Sequence, residues 1–336
     1  MNDGITKDYS ISLIRFLATV SIIVCHLFQF YDHELAWWFN IGVQMFLCIS
    51  GFLYARKGVI TDDLKFYKKT FTKILVDYYI IAIPAFVILT VFFFKQFSVI
   101  TAIQVLFTKA VLPGGGHLWY IPYCLLCYFL TPFLSRFFDR HKNKHLTISF
   151  VILFLILLTL IDLFFHFFVG AWIFCYILGY FLGVVSLKGK TKLYNAICLI
   201  IIAIAIVSNT AQILLDYVIK FEFNEVHYVY YKKMCNYAHV ALGTSLFLLL
   251  KKLFAVIFKN GYPTPIQKFC SISDRYSYDI YLVHHFIILG PLTLMTLTKI
   301  PILNIVIILV LIVLLAVIVN LISTFIKNKL KKFTEL

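Results

Sequence analysis

The chain has 336 residues, of which 62% are hydrophobic and 13% are charged, with a net charge of +15 and a mean hydropathy of +0.93. A soluble domain is about 45–50% apolar and about 25% charged, so the composition excludes a soluble protein. We expect an integral membrane protein with a single membrane domain over residues 1–336.

Windows of about 20 apolar residues mark membrane helices. The sequence contains ten such windows and no internal repeat, which predicts an all-α polytopic membrane helix bundle. The segment 97–112 is too short and too polar to span a bilayer, so we expect a re-entrant or interfacial segment there. The predicted spans are residues 10–31, 36–55, 74–94, 117–138, 147–167, 170–187, 193–213, 235–257, 277–298 and 302–325.

The first predicted span contains two ionisable residues, Arg15 and His26. An ionisable side chain within a bilayer costs about 2.5–3.5 kcal/mol, so it usually faces a protein interior and has a function. The two residues are eleven positions apart, about three helical turns, which places both side chains on nearly one face, roughly 16 Å apart along the axis. On this evidence alone, a histidine satisfied in a polar helix interface explains His26 equally well.

Two features follow in the second and third spans. The second span ends in the run Phe46–Leu53, whose Ser50-Gly51 pair is typical of closely packed helices. Lysines at 65, 68, 69 and 73 lead into the third span with the spacing of one helical face. This cationic stripe is explained by a positive-inside anchor. A site for a cytosolic polyphosphate donor is the alternative, because ammonium groups bind phosphates as point charges.

A glycine run, Gly114–Gly116, leads into the fourth span and is followed directly by His117. Three glycines let the backbone turn sharply or approach a ligand closely. An aromatic belt at the membrane surface explains the next residues, Trp119 and Tyr120, but it does not explain a histidine. We therefore treat His117 as a candidate functional residue.

The ninth span is unusually polar, from Tyr276 to His285. Tyr281 and His284 are three positions apart and share a helix face. A satisfied interhelical hydrogen-bond network explains this pattern as well as a binding role does. The stretch 214–234, which is rich in tyrosine, is expected to be an interfacial loop, with the lining of an acceptor site as the alternative.

The cysteines do not predict a metal site. Most of the eight lie in apolar segments, where we expect them to be buried as small hydrophobic side chains. Cys124-x-x-Cys127 has metal or redox spacing, but no second pair accompanies it.

The positive charges predict the orientation of the chain. Lys and Arg concentrate in cytoplasmic connections, and 23 of the 30 basic residues lie in one set of connections and the two ends of the chain, against six in the other set. Both termini are therefore predicted to be cytoplasmic, with Arg15 toward the cytoplasm and His26 toward the outside. Topology and contact with anionic membrane lipid account for the basic residues, so we expect no nucleic-acid partner.

Taken in order, these motifs resemble the membrane-bound acyltransferase-3 family, whose members O-acylate bacterial surface polysaccharides and related acceptors. The family's arginines and proline at the third span are replaced here by lysines and by Val76-Asp77. Many members also have a fused extracytoplasmic hydrolase-like domain, and without one we expect the chain to act alone or with a separate partner. The matching motifs are Arg15 separated from His26 by ten residues, Phe46–Leu53, the basic entry to the third span, His117–Tyr120 and Ser277–His284.

The resemblance implies transfer of an acyl group, most simply acetyl, from cytoplasmic acyl-CoA to a hydroxyl of a cell-surface polysaccharide or lipid-linked glycan. It also implies the cytoplasmic membrane of a bacterium. His26 is then the catalytic residue, as a general base or as a covalent acyl carrier. His117 and Tyr281 are candidates for positioning or for stabilising the oxyanion. The residues assigned to the donor are Arg15, Lys68, Lys69, Lys73, Ser50 and His284.

A transporter or flippase for a lipid-linked glycan is the alternative function for a ten-helix bundle with buried Arg and His. Transporters often have paired halves and broken helices. The sequence has no paired halves and one candidate re-entrant segment, residues 97–116.

Overall fold

The computed structural model describes residues 7–95, 97–140, 144–164, 169–187 and 191–334. These residues form α-helices with short 3₁₀ and π turns and contain no strand, which confirms the all-α class. The α-helices are α1 (Tyr9–Phe30), α2 (Leu35–Phe39), α3 (Ile41–Ala55), α4 (Asp63–Ile88), α5 (Val99–Leu106), α6 (Tyr120–Arg140), α7 (Lys144–Phe164), α8 (Gly170–Leu187), α9 (Thr191–Ile213), α10 (Glu225–Ile257), α11 (Thr264–Ile288) and α12 (Pro301–Thr334).

Within the described ranges, eight helical segments are long and apolar enough to cross a membrane, and each overlaps a predicted span. The predicted span 147–167 corresponds to α7, whose apolar part, Val151–Phe164, is shorter, and residues 165–168 lie outside the described ranges. The orientation of the bundle stays a prediction from charge. The eight segments are Tyr9–Phe30, Leu35–Ala55, Asp63–Phe94, Gly116–Asp139, Gly170–Leu187, Thr191–Ile219, Glu225–Ile257 and Pro301–Lys332.

The predicted span 277–298 is wrong in its bounds. The helix begins at Thr264, well before the first apolar window, because its early turns are polar and hydropathy does not register them. It ends at Ile288, where Gly290 adopts a left-handed φ of 84° and Pro291 follows. A left-handed glycine and a proline are the usual end of a helix.

The expectation of a loop over 214–234 is also wrong for most of that stretch. A π turn continues α9 over Leu214–Ile219, and α10 begins at Glu225. The side chain of Asn224 caps α10 by accepting from the backbone N–H of His227 at 2.9 Å. Only residues 220–224 are outside a helix.

The described residues form two compact units, each assembled from separate parts of the chain. The first comprises the described residues of Met1–Ala18, Asn40–Thr61 and Leu130–Pro263. The second comprises those of Thr19–Phe39, Asp62–Phe129 and Thr264–Leu336.

In the first unit, α3 and α8 pack with their backbones in contact. A Cβ added to Gly51 would lie 2.1 Å from the carbonyl oxygen of Tyr176, and one added to Gly179 would lie 2.2 Å from that of Cys48. Small residues at such crossings let membrane helices gain van der Waals contact. The packing interpretation of the Ser50-Gly51 pair is therefore correct.

All eight cysteines are free thiols, and seven are buried, as expected for small apolar side chains.

In the second unit, α4 and α11 pack against α12 around an apolar cluster and two polar links. Ser323 and Lys327 of α12 both donate to Asp77 of α4, with Lys327 Nζ 2.6 Å from Oδ1. Asn320 donates to Asp279 of α11 at 2.9 Å. The apolar cluster is formed by Val283, Ile287, Ile288, Met295, Ile308, Ile312 and Val319.

Candidate functional site

Four imidazole rings meet inside the second unit. His26 comes from α1, His117 from a 3₁₀ turn at Gly116–Trp119, and His284 and His285 from the end of α11. The ring of His26 lies 4.4 Å from that of His285 and 5.1 Å from that of His284, measured between centroids. The ring of His117 lies 4.7 Å from His285 and 5.2 Å from His284. We call these four residues the histidine cluster.

The glycine run before His117 brings the backbone against α11. Gly114 has a φ of 75°, a conformation that glycine adopts at no steric cost. Its carbonyl oxygen lies 2.6 Å from His285 Nδ1 and accepts that ring's N–H. A Cβ on Gly116 would come within 3.7 Å of the same imidazole. Gly114 therefore sets the close approach between this loop and the histidine cluster, whereas a Cβ at Gly116 would make only an ordinary van der Waals contact.

Hydrogen bonds hold both the ring and the main chain of His117. Its Nε2 donates to the carbonyl oxygen of Leu282 at 3.1 Å, and its own carbonyl oxygen accepts the hydroxyl of Tyr281. Only 3% of His117 is exposed. These bonds fix the 3₁₀ turn to α11. Because the Nε2–H of His117 and the O–H of Tyr281 are donated in these bonds, neither is free to bind a ligand.

The hydrogen bonds also determine which ring nitrogens carry a proton when the rings are neutral. A carbonyl oxygen can only accept, so Nδ1 of His284 donates to Tyr281 O at 2.6 Å. His284 Nε2 and His117 Nδ1 are buried and have no hydrogen-bond partner among the described residues. The cluster therefore presents nitrogen lone pairs, which accept protons, and not N–H groups, which would bind an anion.

His26 is the member of the cluster whose ring is hydrogen-bonded to another side chain. Its Nδ1 lies 2.9 Å from Oε1 of Gln29, one helical turn further along α1. His26 is half-buried and Gln29 is exposed. His26 is therefore the most exposed member of the histidine cluster, since His117, His284 and His285 are buried.

The structure thus brings together four of the predicted site residues, His26, His117, Tyr281 and His284. The predicted donor lysines, Lys68, Lys69 and Lys73, lie apart from them in sequence on the first turns of α4, with their side chains exposed. Lys68 lines an open groove whose walls are mostly apolar, including Phe71, Leu75 and, from α12, Leu330.

The remaining two predicted residues belong to the first unit. Arg15 is half-buried on α1, and Ser50 is half-buried on α3 beside the packing glycine. Helix α1 is continuous from Tyr9 to Phe30, as the spacing of Arg15 and His26 requires. Their part in donor binding stays a prediction.

Sequence reasoning missed two residues of the site, His285 and Gln29. His285 is the direct neighbour of His284, and its importance depends on the approach of Gly114, which no local pattern reveals. Gln29 follows His26 by three positions, a spacing that places both side chains on one helix face. That spacing is the feature of the sequence from which the contact of Gln29 with His26 could have been predicted.

No three His, Cys, Asp or Glu side chains in the described ranges are arranged to hold a metal ion.

In a comparison with known protein families, residues 8–321, which are nearly the whole chain, match the family model described as an acyltransferase domain. Neither the curated proteins nor the solved structures contain a match to the chain.

Proposed function

The chain belongs to the acyltransferase-3 family and is a membrane acyltransferase, and we propose that it transfers an acetyl group from acetyl-CoA to a hydroxyl of a cell-surface glycan. The observation that carries the chemistry is the position of His26. His26 is the most exposed member of the histidine cluster, and its Nδ1 is hydrogen-bonded to Gln29. The other nitrogen is left to act on a substrate.

In the proposed reaction, His26 is a general base. It takes the proton of the acceptor hydroxyl as that oxygen attacks the thioester carbonyl, and a C–O bond forms. The tetrahedral intermediate then expels the CoA thiolate, which takes the proton back from the imidazolium. An acyl-imidazole intermediate on His26 is the other route that this residue allows.

His117 and Tyr281 are better suited to positioning than to binding an oxyanion. An oxyanion needs free donors aimed at it. The N–H of His117 is already donated to Leu282, and the O–H of Tyr281 is already donated to the carbonyl of His117. We assign both residues to holding the cluster in place.

The donor is proposed to bind from the cytoplasmic side, with its phosphates held by Arg15 and the lysines at 68, 69 and 73. Support comes from their charge and from the exposure of the three lysine side chains. Ser50 and His284 are proposed to contact the pantetheine arm or the thioester. The acceptor is proposed to be a polysaccharide or lipid-linked glycan at the outer face of a bacterial cytoplasmic membrane.

Thioester consumption and label transfer test this proposal. We expect purified protein to release CoA from radiolabelled acetyl-CoA and to label a glycan acceptor. We expect His26→Ala to lower kcat by about 10²–10⁴-fold, the usual contribution of a general base. For CoA release, His227→Ala is the matched control, because that imidazole is exposed on α10 and is not part of the histidine cluster.

Equal rates for wild type and His26→Ala would remove His26 from catalysis. Proteoliposomes separate the proposal from the transporter alternative. Movement of a lipid-linked glycan across the membrane without release of CoA would show a flippase and contradict the proposed acyl transfer.

A further inference from the structure

We propose that Gln29 is a positioning residue that fixes the tautomer and the orientation of the His26 ring, so that Nε2 is the nitrogen that accepts the proton. This inference rests on the proposed function, because it assigns the atom of His26 that acts as base. It adds a residue that the family motifs, as found in this chain, do not include.

The direction of the hydrogen bond gives the tautomer. The contact is between His26 Nδ1 and Gln29 Oε1, at 2.9 Å. An amide oxygen accepts and cannot donate, so the hydrogen is on Nδ1. A neutral imidazole has one N–H. The lone pair is therefore on Nε2, at the far side of the ring from Gln29.

Helical geometry makes this bond a local one. Residues three apart lie on one face of a helix, about 5–6 Å between their Cβ atoms, and α1 is continuous through both residues. A glutamine side chain spans that gap, whereas asparagine is shorter by one methylene group. The bond orients the His26 ring without help from another helix.

The other three imidazoles of the histidine cluster are fixed differently. His117, His284 and His285 each donate to a main-chain carbonyl oxygen, of Leu282, Tyr281 and Gly114 respectively. Their partners remain whatever side chain is substituted at those positions. His26 depends on a side chain, so its tautomer can be changed by one substitution.

The partner is also neutral, which has a consequence for the pH dependence. An amide accepts the N–H without adding charge, so it orients His26 without strongly favouring the imidazolium. A carboxylate in the same place would accept the same N–H and would stabilise the imidazolium by a charge-assisted bond. The Gln29→Glu variant therefore keeps the orientation and changes the basicity.

Two variants test the inference. We expect Gln29→Met, which keeps the length and removes the acceptor, to lower kcat by about 10- to 100-fold, within the full contribution of a general base, with the KM for acetyl-CoA unchanged. We expect Gln29→Glu to keep most of the activity at high pH and to move the acid limb of the kcat profile upward in pH. Gln267→Met on α11 is the matched control and is expected to have wild-type kinetics.

The outcomes separate this inference from the proposed function. If His26→Ala is inactive while Gln29→Met has wild-type kcat, the proposed base stands and the role of Gln29 is wrong. If His26→Ala is fully active, the assignment of His26 as the base fails, and with it the role of Gln29. Should Gln29→Met fail to fold, the Gln29→Glu profile decides, because an unshifted acid limb would show that residue 29 does not act on the ring.

Discussion

His117 and Tyr281 are joined by a hydrogen bond in which the tyrosine hydroxyl donates to the histidine carbonyl oxygen. The next residue, Leu282, accepts the Nε2–H of the same histidine at 3.1 Å. Two consecutive residues of α11 thus fix the backbone and the ring of His117. The 3₁₀ turn and the histidine cluster are held by one short piece of helix.

Removing the tyrosine hydroxyl should loosen this attachment. In Tyr281→Phe the buried carbonyl of His117 loses its donor, which costs about 1–3 kcal/mol. We expect a lower Tm in detergent and a several-fold lower kcat, since His117 contacts His285 and His285 contacts His26. Tyr228→Phe on α10 is the control for the Tm, because that side chain is exposed and the change is expected to leave the Tm unchanged. Wild-type Tm and kcat in Tyr281→Phe would show that the bond does not position the turn.

Arg15→Ala tests the proposed donor site. A hydrogen bond to a charged group contributes about 1.5–3 kcal/mol, so we expect the KM for acetyl-CoA to rise by roughly 10- to 100-fold while kcat is preserved. Arg275→Ala, an exposed arginine on α11, should leave the KM unchanged. A fall in kcat at constant KM would instead indicate that Arg15 stabilises the transition state.

Gly51→Ala tests the packing of α3 on α8. Alanine is favoured over glycine in a helix by about 1 kcal/mol, so propensity alone predicts a more stable protein. The new Cβ would lie 2.1 Å from the carbonyl oxygen of Tyr176, so the helices must separate. We expect a net destabilisation of about 1–3 kcal/mol, as for other overpacked cores, measured as a lower Tm. Gly116→Ala, whose Cβ meets no atom closer than 3.7 Å, is the control for Tm alone.

The ion pair of Asp77 and Lys327 should show coupling in a double-mutant cycle. Asp77 is only 5% exposed, and breaking a buried pair leaves a charge without its partner. We expect Lys327→Met and Asp77→Asn each to lower the Tm, and the double variant to be more stable than the sum of the two losses predicts. Additive losses would show that the pair contributes no interaction energy.

The apolar spans were predictable because a bilayer requires about 20 apolar residues per crossing, and a sequence displays this directly. The start of helix α11 was not predictable, since its early turns contain Gln267, Lys268 and Arg275 and fall outside any apolar window. The π turns after α4 and α9 were not predicted either. The turn after α9 continues that helix past residue 213, where hydropathy alone places its end, whereas the turn after α4 lies within the predicted span 74–94.

The site was predictable only in part, for a related reason. His26, His117, Tyr281 and His284 stood out because polar groups are costly within apolar segments. Their convergence could not be derived, because α1, the 3₁₀ turn and α11 are brought together by tertiary packing. His285 acquires its place through the carbonyl of Gly114, which is 171 positions away in the chain.

The contact between Gly114 and Gly290 bears on how this site would respond to random mutation. A Cβ on Gly290 would lie 2.5 Å from the Cα of Gly114, and one on Gly114 would lie 2.7 Å from the carbonyl oxygen of Leu289. A single methyl group at either position would push the loop away from α11 and withdraw the carbonyl that accepts from His285. A genetic screen for inactive alleles should therefore recover both glycines beside the histidines, although neither has a side chain that can react.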